Sequence, residues 1–204
     1  NASFQNNVDI TNALTVDNIM FSDSTVQNTG SPILEYISHY CDGTQVNIKN
    51  KQCNNGTLLF PDVSNTQYFN NSGYHGGYNH GTTNYQTVTG SEIAYCPPQG
   101  TTLLIYEFNF QSRPLNHHKI MSIKFLLNDS ELTQARQAST NYDHVTTGQS
   151  TFHHIKVPIS ATNWSSALDL RCQVYSLSGG HRATIHKSAY WMSVGGIFIK
   201  PSIT

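Results

Sequence analysis

Charge is scarce in this 204-residue chain: only 11% of its residues are Asp, Glu, Lys or Arg, against roughly a quarter in an average soluble domain. Eleven Lys and Arg meet twelve Asp and Glu, a formal net charge of −1. No global positive field exists to draw in phosphate backbones, so nucleic acid is not an expected partner. Long apolar runs are missing too; none approaches the ~20 residues that span a bilayer, and membrane insertion is not expected. The opening lacks the basic and apolar regions of a secretory signal, and its abrupt polar start at Asn1 is expected of a segment of a longer polypeptide. Cysteine is limited to Cys41, Cys53, Cys96 and Cys172, with no CxxC pair, so a structural zinc site is not expected. Cys41 and Cys53 flank a turn-rich stretch and form the candidate disulfide, closing a hairpin; free, partly buried thiols are the alternative.

What replaces charge is Asn, Thr, Ser and Gln, together with eleven Tyr and nine Phe. Aromatic rings suit strand faces, and they also suit contact surfaces such as sugar-binding sites. Residues 7–30 carry apolar pairs at strand period: Val8 and Ile10, Leu14 and Val16, Ile19 and Phe21. A segment this small cannot bury those residues against itself. It must pack on the remainder or associate with copies from other chains, and the second option makes it a stalk.

After Gly30 the pattern becomes a succession of strand-length runs punctuated by turns. Residues 101–110 are the clearest, with Leu104, Tyr106, Phe108 and Phe110 on one face and Leu103, Ile105, Glu107 and Asn109 on the other. The next run groups Met121, Ile123, Phe125 and Leu127, then Asn128-Asp129 offers a turn into residues 131–136 as the returning hairpin arm. Further runs fall at 85–96, 151–159, 167–177, 182–192 and 195–199. The single helix start is Ser31-Pro32, expected to run through Tyr36. The expectation is all-β: an antiparallel β-sandwich or jelly-roll head over residues 31–204, preceded by a stalk-like β segment over residues 1–30.

Candidate chemistry starts with ten histidines. His117-His118 and His153-His154 are adjacent pairs, but neighbours on a strand point to opposite faces and cannot chelate one ion, so no metal or cofactor is expected. A threefold axis gathering three copies of one histidine is the minor exception. No GxSxG elbow occurs, and Ser178-Gly179-Gly180-His181 is read as a turn between strands. Glu92, Glu107, Glu131 and Asp143 are the carboxylates from which a glycosidase pair would have to come. The protein is therefore expected not to be an enzyme. Residues 70–83, NNSGYHGGYNHGTT, cannot build core. Glycine-rich backbone presenting Tyr74, His75, Tyr78, Asn79 and His80 has the composition of a recognition loop.

Residues 19–29, IMFSDSTVQNT, resemble the junction element between shaft and head in tail-fibre and surface-fibre proteins of bacteriophages, notably cyanophages, and of large algal viruses. Residues 34–43 (LEYISHYCDG), 56–63 (GTLLFPDV), 85–90 (YQTVTG), 95–102 (YCPPQGTT) and 105–108 (IYEF) look like the heads attached to it. Residues 195–201, GGIFIKP, are similar to the last central strand of the complement and tumour-necrosis-factor jelly roll. The resemblance implies a homotrimeric fibre or spike head on the virion surface. It would be joined to other virion proteins through its stalk and would attach to a host glycan or protein. A decoration or minor capsid role is the main alternative, and polysaccharide depolymerisation a lesser one. Two departures from the pattern stand out: Ser24 where glycine is common, and a longer connection over residues 70–83.

Overall fold

A computed structural model describes residues 18–20, 26–28, 33–51, 54–70, 85–114, 118–142, 150–162, 164–176, 182–188 and 197–204. The chain divides into two compact units, Asn1–Leu34 and Glu35–Thr204; the sequence pattern puts the boundary after Gly30. In the first unit β1 (Asn18–Met20) and β2 (Val26–Asn28) pair antiparallel, Ile19 opposite Gln27.

The second unit is all-β. Its strands are β3 (His39–Tyr40), β4 (Gln45–Asn47), β5 (Thr57–Leu59), β6 (Gln67–Asn70), β7 (Gln86–Thr87), β8 (Ile93–Tyr95), β9 (Leu103–Pro114), β10 (His118–Leu127), β11 (Ser130–Glu131), β12 (Gln137–Tyr142), β13 (Thr151–Ser160), β14 (Leu168–Ser176), β15 (Arg182–Ile185), β16 (Lys187–Ser188), β17 (Ile197–Phe198) and β18 (Ser202–Ile203). Twelve of them form two antiparallel six-stranded sheets, while β4 with β5 and β16 with β17 pair as separate two-stranded ribbons. The front sheet runs β3-β18-β9-β15-β6, with β13 on the other side of β9. The back sheet runs β11-β10-β14-β7, with β12 on β10 and β8 on β14.

Alternation decides which side of each strand is core. On β9, Tyr106, Phe108, Phe110 and Ser112 are buried while Leu103 and Ile105 are exposed; on β10, Met121, Ile123 and Phe125 are buried. The two inner faces meet where the Tyr106 and Phe125 rings pack edge-on at 5.9 Å, and Phe108 stacks on Phe110 at 5.2 Å. The result is sheet on sheet, a β-sandwich. Asn128 and Asp129 both adopt positive φ, 45° and 66°, the turn geometry whose twist matches a two-residue hairpin. That turn returns the chain as β11, but only Ser130 and Glu131 pair before a 3-10 turn at Thr133–Ala135.

Three expectations are corrected. No helix forms over residues 33–38. The segment leads into β3 with Tyr36, Ser38 and Tyr40 exposed, while Ile37 packs on the core and Cys41 lies within it. Glu35 helps hold it there, its carboxylate accepting the Lys49 N–H and the Tyr95 hydroxyl, each at 2.6 Å. The Cys41–Cys53 bridge is not made: Cys41 is a free, buried thiol whose S–H donates to the Gly90 carbonyl at 3.2 Å. Among the described residues Cys96 is disulfide-bonded and Cys172 is free; Cys53 lies outside them. Lastly, the run from Arg182 is interrupted at His186, whose φ of 63° divides it into β15 and β16.

One corner ties the sheets together. Gly90, at φ +85°, sits so close to its neighbours that a Cβ there would lie 2.6 Å from Val63 Cγ2 and 3.0 Å from Pro201 Cγ. Ser91, fully buried beside it, accepts the Cys172 N–H through Oγ at 3.0 Å. Its carbonyl accepts the Tyr106 hydroxyl at 2.5 Å, linking a back-sheet strand to the centre of the front sheet.

Candidate interaction face

The outer face of the front sheet is assembled by strand register. Tyr40 of β3 pairs with Ser202 of β18, Ser202 with Asn109 of β9, and Asn109 with His154 of β13, so four residues from four strands form one transverse row. Asn109 Nδ2 donates to Ser202 Oγ at 3.2 Å, and His154 Nδ1 donates to Asn109 Oδ1 at 2.6 Å. The next row is Ser38, Thr204, Glu107 and Lys156. Thr204 exchanges both backbone hydrogen bonds with Glu107, at 2.7 and 2.9 Å, and its hydroxyl lies 2.8 Å from that of Ser38. Lys156 Nζ reaches Glu107 Oε1 at 2.5 Å, with His154 Nε2 3.8 Å from the other carboxylate oxygen. The Glu107 charge is thus matched by Lys156.

Around this polar centre lie large side chains open to solvent: Ile105 is 42% exposed, Leu103 55%, Phe152 58% and Tyr40 61%. Tyr68 of β6 is exposed as well. The outer face of the back sheet differs in kind. There Lys124 sits 4.1 Å above the Tyr85 ring, the Tyr85 hydroxyl bonds Ser122 Oγ at 2.7 Å, and Arg171 is paired with Glu92 and Asp129. No large exposed hydrophobic residue falls on a described position of β7, β8, β10, β11, β12 or β14. Of the two six-stranded sheets, the front one thus carries the exposed large hydrophobics, while Leu59 of β5 and Ile197 of β17 are exposed outside both.

Other groups with reactive chemistry are enclosed. Ser112 Oγ lies 2.6 Å from His153 Nε2, the pairing of a nucleophile with its base. Ser112 is fully buried, and His153 stacks on Phe110 at 4.6 Å within the sandwich. The adjacent pair His153 and His154 therefore divides, one ring inward and one outward, as strand geometry requires. Burial pushes the Cys41 thiol up to about 12, Asp42 adding to the effect, and raises Cys172 well above the usual thiol range. Both stay protonated and unreactive.

The candidate carboxylates are scattered: Glu107 faces Lys156, Glu131 bonds Arg136 at 2.7 Å, and Glu92 lies 3.7 Å from Arg171. Asp143 and residues 178–181 lie outside the described residues, as do Tyr74, His75, Tyr78, Asn79 and His80. The described ends of that last segment are held together, since the Gln67 side chain donates to the Thr87 carbonyl at 2.8 Å and accepts the Thr89 N–H at 2.7 Å. Among the described residues no group of three or more His, Cys, Asp or Glu is placed to hold a metal ion, and no helix is long and apolar enough to cross a membrane.

Sequence alternation places Leu103, Ile105, Glu107 and Asn109 on one side of β9, but it does not reveal Tyr40, Ser202 and His154 as their neighbours. No family model and no curated protein matches this chain, so the face is interpreted from its own chemistry.

Proposed function

We propose that this chain is the head of a virion fibre or spike, working as a homotrimer that attaches to a host-surface glycan or protein without performing a reaction. The observation that carries the reading is the contrast between the two outer faces: one polar, the other polar only at its centre and rimmed by exposed Leu103, Ile105, Tyr40 and Phe152. At the centre, beside the Glu107–Lys156 ion pair, Ser38, Asn109, Ser202 and Thr204 carry side chains that each donate and accept. Such groups can pair with their own copies across a symmetry axis, where like charges would repel.

β9 and β13 run side by side over ten paired residues, roughly 33 Å at ordinary strand spacing, and β18 followed by β3 widens the face alongside Phe108 and Asn109. The residue 71–84 connection springs from the edge strand β6 and returns to β7, with both ends fastened through Gln67. A loop anchored in this way on a rigid sandwich suits recognition.

Purified protein should bind host cells saturably and compete with infection, and deleting residues 72–83 should abolish that binding while leaving the thermal transition in place. Tight binding to other virion proteins alone would assign the chain to assembly instead. Release of product from host polysaccharide would overturn the non-catalytic reading.

A further inference from the structure

His186 is fully buried at the break between β15 and β16, in a left-handed backbone conformation of φ 63°. Three separate parts of the sandwich converge on it. Its N–H donates to the Gln111 carbonyl on β9 at 2.7 Å, and its carbonyl accepts the Ile199 N–H at 2.9 Å. The ring reaches the turn after β7, where Nε2 lies 2.8 Å from the Thr89 carbonyl, and it meets Phe198 edge-on at 6.4 Å. Nδ1 is buried and has no hydrogen-bond partner.

The segment fastened at Ile199 continues into the interaction face. The Pro201 carbonyl accepts the Cys41 N–H at 2.9 Å, Ser202 and Ile203 pair with both β3 and β9, and Thr204 pairs with Glu107. We propose that His186 is an acid-released latch: protonating its ring loosens the closing segment, residues 197–204, and with it the middle of the front-sheet face.

A neutral imidazole has one N–H, and here Nε2 spends it on the Thr89 carbonyl. Nδ1 is left as a bare lone pair facing protein. A second proton would place an N–H and a full charge where neither an acceptor nor water is available, which costs far more than the hydrogen bond on the other nitrogen returns. Among the described residues nothing around the ring compensates. The contacts from β9, the Thr89 turn and the closing segment come from Gln111, Thr89, Phe198 and Ile199, all uncharged. The nearest charges along the chain, Lys187 and Lys200, are cations. Burial brings the ring down to about 4, opposed only by the Thr89 carbonyl, and no carboxylate acts on it.

A ring freed from the fold titrates near 6.5, so the opened form binds more protons throughout the interval between the two values. The latch is therefore fully in force above pH 6.5 and weakens as pH falls toward 4. Going from pH 7 to pH 5 should raise the opening equilibrium about 20-fold.

The test is amide hydrogen exchange on the full chain at pH 7 and pH 5, corrected for the intrinsic rate. The Cys41, Ile199 and Thr204 amides should lose about 20-fold in protection, more than amides in the β10–β14 ladder. His186→Asn, which keeps a residue tolerant of positive φ but removes the titrating ring, should abolish the difference. Equal protection at both pH values in the wild type, or the same loss in the Asn variant, overturns the latch. Should that variant not fold, a proton-titration curve of the His186 ring by NMR decides: a midpoint near 4 supports the proposal and one near 6.5 overturns it. The consequence for the face rests on the trimeric reading, which light-scattering mass at pH 7 tests separately.

Discussion

Replacing Gly90 by alanine tests whether the corner joining the two sheets is as tightly closed as its distances imply. Two costs act there. A side chain at φ +85° suffers the left-handed backbone penalty, about 1–2 kcal/mol. The new methyl would also lie 2.6 Å from Val63 Cγ2 and 3.0 Å from Pro201 Cγ, with Cys41 Cβ at 3.4 Å, and overpacking of a filled interior typically costs about 1–3 kcal/mol. The total is roughly 2–5 kcal/mol, a large part of the stability of an ordinary domain. Gly100 supplies the control, because its φ of +87° is nearly the same and nothing lies within 4 Å of its would-be Cβ. Gly100→Ala should lose only the backbone contribution. Any loss of unfolded-chain freedom is common to the two variants and cancels in their difference. Urea unfolding of both, compared at unchanged slope, should place Gly90→Ala below Gly100→Ala by about 1–3 kcal/mol. Equal losses would refute the argument, leaving φ as the whole effect and the corner loosely packed.

Ile105→Lys, which puts a charge on the exposed rim of the front sheet, should reduce the mass in light scattering from a multiple of 22.7 kDa to that value, with far-ultraviolet circular dichroism unchanged. Gln173→Lys on the back sheet should leave the mass as it was; an oligomer that survives Ile105→Lys argues against the front face. Cys41 and Cys172 should resist alkylation at pH 8 in the folded protein and react on unfolding, as mass spectrometry of the labelled chain would show. Rapid labelling of either in the native state would contradict its burial.

The sandwich was legible in the sequence wherever strands were long and alternated cleanly. Residues 103–114 and 118–127 display their inward residues by period alone, and the division of His153 from His154 follows from the same rule. Short elements were not legible. Two residues, such as His39–Tyr40 or Ser202–Ile203, carry no period; Ser202–Ile203 becomes a strand because β9 offers it a ladder, and His39–Tyr40 because Ser202–Ile203 then does. The Arg182 run reads as one continuous strand because a single left-handed residue leaves no mark on hydrophobic spacing. The cysteine spacing suggested a local bridge, but the β3 backbone carries the Cys41 side chain into the core, toward Gly90. As for the interaction face, its rows join residues as far apart as Tyr40 and Ser202, a proximity that only the fold creates.

The position of β18 between β3 and β9 also has a consequence for how the protein is made. Ser202 leaves the ribosome some 160 residues after its partner Tyr40, a delay of roughly 10–30 s at ordinary elongation rates of about 5–20 residues per second. Once residues 103–114 have followed, β3 and one side of β9 present unpaired edges beside exposed tyrosine and isoleucine until Ser202 and Ile203 arrive. The nascent sandwich is thus held open as a template for other strands, and its freedom from aggregation depends on how quickly residues 197–204 arrive to fill the gap.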